Sequence, residues 1–376
     1  MLETKLRRIA LVGGGTGGHV YPAITVADTY RQTVAEVEFF FFGTNGGIES
    51  RIVPQHGYSL TMIRAAPAMR VSFKGKLLAV HRLFTETLTA RRLLKDMGVK
   101  LVIGFGGFST PCVILAAHSL GLCTAIYEAN TLPGRANRLL AHMADRIYCN
   151  FNVPGGRLFN NQRVCQIGYP LRPEIAGLSA HQRLPPSNAS SQPTRILITG
   201  GSEGSPFLNQ NAPELMGALV NRGLPVVVQH QTGFLGLETV RKRYDQLGIS
   251  GHISAYIDDM ASAYRWADFA ITCAGIGTLA ELAHCGIPAL IVPLTSAADS
   301  HQILNAMKFA EISQAYWIRE SDWQIDKVAE IIVPLLTIPE LWLEASELMR
   351  QAQLRMPLDA VSKLVTDCEI IMRNRW

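Results

Sequence analysis

The run Leu11-Val12-Gly13-Gly14-Gly15-Thr16-Gly17-Gly18-His19-Val20-Tyr21-Pro22 holds the residue types best suited to chemistry. Five glycines strip the side chains from a turn, so its backbone N–H groups lie open to an anion and a large polar ligand can come close. Strand, glycine turn and helix start together form the geometry that holds a phosphate. His19 stands at the mouth of this turn. Its ring titrates near neutral pH and suits a general base. The same ring could instead make a structural hydrogen bond to neighbouring backbone. Gly13, Gly15 and Gly18 also satisfy G-x-G-x-x-G, but the dinucleotide reading needs a carboxylate at the end of the next strand. That strand, Val37–Phe42, ends in Gly43-Thr44-Asn45-Gly46-Gly47, and Glu49 comes later, opening a helical stretch. NAD or FAD is therefore not expected.

These residues need elements to position them. The apolar stretch Ile9–Val12 leads in as a buried strand, and the pattern from about Pro22 to Gln32 leads out as a helix with Pro22 in its first turn. Strand-like runs at Val37–Phe42, Leu101–Ile103, Thr124–Tyr127 and Arg146–Cys149 then alternate with helical patterns, the rhythm of a parallel sheet covered on both faces. The Pro/Ser/Asn-rich stretch Ser179 to Thr194 breaks it and reads as a surface loop just past a boundary near Tyr169-Pro170. The rhythm restarts at Arg195–Thr199, Pro225–Gln229, Ile253–Tyr256, Phe269–Thr272 and Ala289–Val292. The restart carries its own glycine turn, Gly200-Gly201-Ser202-Glu203-Gly204. The expectation is α/β: two Rossmann-like, doubly wound domains facing a cleft, at 1–170 and 171–350. Residues 351–376 form a final helix that packs back on the first domain. Ligands in such sheets bind at the carboxyl ends of the strands.

With 376 residues, 48% of them apolar and 17% charged, the chain can bury two cores. A net charge of +5 is too mild to argue for nucleic acid. Seven scattered cysteines without C-x-x-C read as buried free thiols in a reducing cytoplasm. Met1 to Arg8 is too short and too charged for a signal peptide, and no apolar run reaches the ~18 residues of a membrane span. Residues 63–97 differ from the rest: Arg70, Lys74, Lys76, Arg82, Arg91, Arg92 and Lys95 flank Leu77, Leu78, Val80, Leu83, Phe84, Leu88 and Leu93. Such a stretch suits an anionic membrane surface or an amphipathic core helix with a solvated face.

Six ordered motifs carry a family resemblance. They are Gly14-Gly15-Thr16-Gly17-Gly18-His19-Val20 with Pro22; Gly104-Phe105-Gly106-Gly107-Phe108; Tyr127-Glu128-Ala129-Asn130; Gly200 to Gly204 with Asn209-Gln210; Tyr256-Ile257-Asp258-Asp259-Met260; and Gly275 to Glu281 followed by Gly286-Ile287-Pro288-Ala289 and Val292-Pro293. Over nearly its whole length the chain resembles the MurG family, the bacterial peripheral-membrane enzymes that convert lipid I to lipid II in peptidoglycan synthesis. The resemblance implies a GT-B glycosyltransferase with UDP-GlcNAc held by its second domain and the lipid-linked pyrophosphate acceptor by its first. It places the protein on the cytoplasmic face of the cell membrane, with residues 63–97 toward the lipid.

The reaction needs a base, support for the departing diphosphate and a grip on the nucleotide. His19 leads for the base and Glu128 is second, unless Glu128 pairs with an arginine. Ser202 and the N–H groups after Gly201 are candidates for the diphosphate. Thr16, Gly17 and Gly18 are candidates at the sugar or acceptor, and Gly104–Phe108 is a second anion cradle. Glu281, read at a helix start, corresponds to the residue that takes the ribose diol, with Gly277, Thr278 and Leu279 as donor contacts beside it. Ile257 matches the position whose backbone reads uracil. Arg172 and Asn130 match positions near the donor, and His301 and Gln302 a pair that reads sugar hydroxyls. Asp-x-Asp is missing, so no metal is expected to be required and Mg2+ would at most be accessory.

The chain departs from the family pattern at Tyr127 for histidine, Ala129 for glutamine, Phe108 for tyrosine, Tyr169 for asparagine, Glu203 for glutamine and His301 for glutamine. Cys273-Ala274 also replaces an arginine-serine pair, and one extra residue lies between Pro293 and Asp299. The phosphate and ribose positions are kept while sugar- and acceptor-reading positions change. Two alternatives follow: the same fold acting on another glycolipid or small-molecule acceptor, and a UDP-sugar-binding protein without turnover.

Overall fold

The computed structural model describes residues 6–65, 73–151, 162–178, 184–186, 192–295, 301–356 and 359–375. The chain forms two compact units, one of Met1–Arg172 with Met356–Trp376 and the other of Pro173–Arg355.

In the first unit the elements run β1 (Arg7–Gly13), α1 (Gly17–Thr33), β2 (Val37–Gly43), α2 (Glu49–Gln55), β3 (Leu60–Met62), α3 (Phe73–Asp96), β4 (Leu101–Gly106), α4 (Thr110–Ser119), β5 (Cys123–Glu128), α5 (Arg135–Leu140), β6 (Arg146–Cys149) and β7 (Val164–Gln166). The strands make one parallel sheet in the order β3-β2-β1-β4-β5-β6-β7. Ile9 to Val12 and Leu101 to Ile103 are fully buried, as continuous apolar runs should be when helices cover both faces.

The second unit runs α6 (Pro173–Ala176), β8 (Thr194–Thr199), α7 (Pro206–Asn221), β9 (Val226–Gln231), α8 (Leu237–Gln246), β10 (Gly251–Ser254), α9 (Met260–Trp266), β11 (Phe269–Thr272), α10 (Ile276–Cys285), β12 (Ala289–Ile291), α11 (His301–Ser313), β13 (Tyr316–Trp317), α12 (Ile325–Thr337) and α13 (Pro339–Leu354). Its parallel sheet is ordered β10-β9-β8-β11-β12-β13.

The last helix, α14 (Ala360–Arg375), belongs to the first unit. Its Glu369 pairs with Arg7 at 2.8 Å, Asp367 with Arg146 at 2.8 Å, and Arg375 with Asp145 at 2.7 Å. In each sheet the strand order reverses beside the first strand, between β1 and β4 and between β8 and β11. The carboxyl ends of those pairs are where open α/β sheets hold ligands.

One boundary differs from the sequence reading. Helix α1 starts at Gly17, so Pro22 lies inside it. Lacking an N–H, Pro22 forgoes the bond to the Gly18 carbonyl, while the fixed proline φ still fits the helix. Helix α3 carries the basic, apolar stretch. Arg70 and the side chains of Lys74, Lys76 and Leu77 lie outside the described residues, as do most of Ser179–Ser191 and residues 296–300.

Candidate active site

At the first switch point two glycine turns interlock. Gly13 pairs with Gly106 across β1 and β4 after a register shift. Gly107, at φ +89°, lies so close that a Cβ there would sit 2.5 Å from the Gly14 carbonyl oxygen. A Cβ on Gly106 would sit 2.7 Å from Nε2 of His19. No other residue type permits this approach, which gives Gly104-Phe105-Gly106-Gly107 a role in seating the His19 loop.

The His19 ring donates from Nδ1 to the Gly14 carbonyl at 3.0 Å. A carbonyl can only accept, so Nδ1 carries the proton and the neutral ring keeps its lone pair on Nε2. The structural hydrogen bond and the capacity to act as base are therefore properties of the two ends of one ring. Thr16, exposed, stands at the N-cap position of α1 without a side-chain cap bond, its Oγ1 3.5 Å from Nδ1; Gly17 is buried and Gly18 exposed.

Glu49, which sequence reasoning set aside, is fully buried on this turn. Its carboxylate accepts from Gly15 N–H at 2.9 Å and from Thr44 N–H and Oγ1 at 2.8 Å each. Any side chain at Gly14, Gly43 or Gly47 would collide with it, at 2.3, 2.6 and 2.1 Å respectively. A carboxylate thus does stand past the end of β2, with its two oxygens taken by Gly15 and Thr44.

Glu128, the second candidate base, ends β5 inside a shell of amide donors. It is 3% exposed. Its oxygens accept from the Asn130 N–H at 3.0 Å and side-chain amide at 3.2 Å, from Gly134 N–H at 2.9 Å and from the Asn137 amide at 2.9 Å. These amide donors tie the Glu128 carboxylate to the loop that follows β5. Asn130, half-buried, is bound into that loop. Arg172 is buried with its guanidinium 4.8 Å over the ring of Tyr21, two residues past His19. Behind these turns Phe105, Tyr127 and Tyr169 pack as an aromatic wall, with centroids 5.8 Å and 6.5 Å apart.

At the second switch point Gly201 and Gly204 both have positive φ, and a Cβ on Gly204 would lie 2.1 Å from the Thr232 carbonyl. Ser202 is half-buried, Glu203 points to solvent, and Ser205 caps α7 by accepting from Leu208 N–H at 3.2 Å. Gln231, absent from the sequence reading, spans the site: its amide donates to the Gly201 carbonyl at 2.6 Å, and its oxygen accepts from Ile257 N–H at 2.8 Å. The Ile257 N–H is thereby occupied, and its carbonyl takes no part in this contact.

Helix α10 begins after Gly275 without a side-chain cap, so its first N–H groups, Ile276, Gly277 and Thr278, form an anion-favouring end. Leu279 is buried, and its N–H goes to the Gly275 carbonyl at 3.1 Å. Glu281 lies in the second turn rather than at the start, 7% exposed, and accepts from the Tyr264 hydroxyl at 2.8 Å. Gln302 fixes two loops through one oxygen, accepting from Ala274 and Leu294 N–H at 3.0 Å each; this leaves its amide end to donate elsewhere. Buried Asn305 holds the Ala274 carbonyl at 3.2 Å. His301 is half-buried at the first position of α11. Among the described residues no three or more His, Cys, Asp or Glu are grouped to hold a metal.

Comparison with known proteins matches residues 9–149 to the glycosyltransferase family 28 N-terminal domain and residues 195–355 to the family 28 C-terminal domain. The UDP-N-acetylglucosamine--N-acetylmuramyl-(pentapeptide) pyrophosphoryl-undecaprenol N-acetylglucosamine transferase of Acidithiobacillus ferrooxidans is 36% identical over 348 residues, 92% of this chain and 93% of the relative. The protein of the same description from Francisella tularensis is 35% identical over 341 residues, 89% and 90% of the two chains. The crystal structure of Acinetobacter baumannii MurG aligns with a TM-score of 0.71 at 26% identity, covering 96% of this chain and 98% of that one.

Proposed function

We infer function from one premise: the chain belongs to glycosyltransferase family 28, among the UDP-N-acetylglucosamine--N-acetylmuramyl-(pentapeptide) pyrophosphoryl-undecaprenol N-acetylglucosamine transferases. It moves N-acetylglucosamine from UDP-GlcNAc to the N-acetylmuramyl sugar of the undecaprenyl pyrophosphate acceptor, a step of peptidoglycan synthesis. In the mechanism we propose, the MurNAc 4-hydroxyl oxygen bonds to the anomeric carbon as the carbon–oxygen bond to UDP breaks, inverting that carbon. The hydroxyl proton passes to Nε2 of His19.

The donor side of this reading is carried by one observation. The Gly201 turn and the uncapped start of α10 leave adjacent strands, β8 and β11, with Glu281 one turn further along α10. Ser202 and the N–H groups of Gly277 and Thr278 take the diphosphate, whose developing charge the helix end stabilises. The Glu281 carboxylate takes the ribose diol, held in place by Tyr264. The Ile257 carbonyl reads the uracil, and His301 and Gln302 complete this unit's contacts to the donor. On the acceptor side, Thr16 to Gly18 and the Gly104–Phe108 turn face the sugar and pyrophosphate.

We also propose that the protein sits peripherally on the cytoplasmic membrane face. Val80, Phe84 and Leu88 repeat at helical spacing on α3 and are 63%, 64% and 51% exposed, with Arg91, Arg92 and Lys95 following. This is the composition of a surface that rests on anionic lipid. No described helix is long and apolar enough to cross a membrane.

The test is transfer from labelled UDP-GlcNAc to a short-chain lipid I analogue by purified protein. Equal amounts of UDP and lipid-linked disaccharide are expected, and both should fall by about a hundredfold or more in His19→Ala. Tight UDP-GlcNAc binding with no disaccharide, or transfer only to some other acceptor, would refute the assignment.

A further inference from the structure

The peptide unit between Gly14 and Gly15 is gripped at both ends. Its N–H donates to the buried Glu49 carboxylate at 2.9 Å, and its carbonyl accepts from Nδ1 of His19 at 3.0 Å. One amide group therefore stands between a carboxylate and an imidazole. We infer that Glu49 is a positioning residue for His19, fixing its tautomer and raising its basicity through this peptide; the inference rests on the reading of His19 as the base.

The physical argument has three parts. A carboxylate accepting from an amide N–H pushes electron density toward the carbonyl oxygen, and hydrogen bonds in series strengthen one another in a low-dielectric site. A more negative carbonyl holds the Nδ1 proton more firmly, so the neutral ring presents Nε2 as its basic atom. It also stabilises the imidazolium formed when Nε2 takes a proton. A carboxylate does the same work by direct contact in the Ser-His-Asp arrangement; here a backbone amide lies between.

The surroundings are built for this contact. Gly14, Gly43 and Gly47 leave the volume that the carboxylate fills, and Thr44 anchors its other oxygen with two donors. Among the described residues the ring also meets the Thr16 hydroxyl and the Gly106 backbone. The charged groups on neighbouring elements are Glu49 at the start of α2, Arg172 against Tyr21, and Glu128 at the end of β5, whose oxygens are filled by Asn130, Gly134 and Asn137. Glu49 alone of these is tied to the peptide that His19 touches.

Glu49→Gln keeps shape and volume. Its amide oxygen stays on the Thr44 pair, so its NH2 meets the Gly15 N–H donor to donor and the link to the peptide is cut. The experiment follows histidine ring nitrogens by NMR in 15N-histidine-labelled protein, with His19 assigned by its loss in His19→Gln. In the parent, His19 should show the Nδ1–H tautomer. In Glu49→Gln its titration midpoint should fall by about half a unit to one unit.

The acid limb of kcat/KM should move down with it, kcat should fall about tenfold, and KM for UDP-GlcNAc should stay within about twofold. In a His19→Gln background Glu49→Gln should cost nothing further. An unchanged midpoint and tautomer in Glu49→Gln would overturn the inference. If that variant does not fold, Glu49→Asp retains the charge but draws it back from Gly15; a smaller downward shift is expected, and no shift would overturn it. The NMR readout does not need turnover. Failure of the transferase reading would appear as missing product beside an intact His19 shift, and failure of this inference as product formed with a fixed midpoint.

Discussion

Tyr127 and Tyr169 meet edge to face, ring centroids 6.5 Å apart, and the Tyr127 hydroxyl donates to the carbonyl of Gly168 at 3.0 Å. Both are buried, and burial pushes the Tyr127 hydroxyl well above the usual tyrosine range, so it stays a donor. The pair behaves as one packing unit behind the His19 loop. Tyr127→His should destabilise the protein by about 2 kcal/mol, because it buries an imidazole and strands the Gly168 carbonyl. Adding Tyr169→Asn should cost less than its single-variant value, since the contact is already lost. Chemical denaturation of the two single variants and the double variant measures the coupling. Additive costs would show that the two rings act independently.

Gly15 and Gly107 share a positive φ, +86° and +89°, but not their surroundings. A Cβ on Gly15 meets nothing within 4 Å, whereas one on Gly107 strikes the Gly14 carbonyl. Gly15→Ala should therefore cost only backbone strain, about 1 kcal/mol, with activity within a few fold. Gly107→Ala adds a collision that moves the carbonyl holding His19, and should lower kcat by about tenfold or more. Parallel melting curves and turnover rates separate the two effects.

The α3 stripe predicts lipid binding that depends on side chains far from the chemistry. Replacing Phe84 with glutamate removes an apolar contact worth about 2 kcal/mol on burial and sets a negative charge against an anionic surface. Co-sedimentation with vesicles of anionic phospholipid should weaken by about tenfold or more, while turnover on a short, soluble acceptor stays unchanged. Equal sedimentation of Phe84→Glu and the parent would remove α3 from the membrane contact.

His230, on β9, is buried against Tyr244, and burial lowers its pKa from 6.5 to about 3. The unfolded chain binds this proton below about 6.5 and the folded chain does not, so the stabilisation is complete above that pH and is lost as pH falls toward 3. The slope is about 1.4 kcal/mol per pH unit across that window. His230→Gln, which cannot titrate but can still bond to Tyr244, should melt with a shallower pH dependence between 6.5 and 4. An identical slope in both proteins would assign the acid sensitivity to other groups.

The strands, the glycine turns and the two-sheet arrangement were legible because each leaves a local trace: apolar runs of strand length, or glycine where φ is positive. The same local reading misplaced Glu281, since a carboxylate five residues past the helix start looks terminal until the hydrogen-bond frame is known. Glu49, Gln231 and Asn305 were not legible as site residues for a different reason. Each closes on a distant backbone group, 34, 26 or 30, and 31 residues away, respectively. Nothing in spacing announces a side chain that closes onto a distant N–H or carbonyl. For Glu128 the donors lie only 2, 6 and 9 residues further on, and the geometry alone reveals that they close on its carboxylate.

The first unit is assembled from both ends of the chain, with α14 joined to β1 and β6 by ion pairs while the second unit is one continuous span. During synthesis the central lobe can therefore reach its native form while the amino-terminal sheet still lacks a wall. That sheet must wait for residues 360–375 to leave the ribosome. A nascent chain stalled shortly before them would present an apolar helix face and unpaired Arg7 and Arg146, a form suited to chaperone capture.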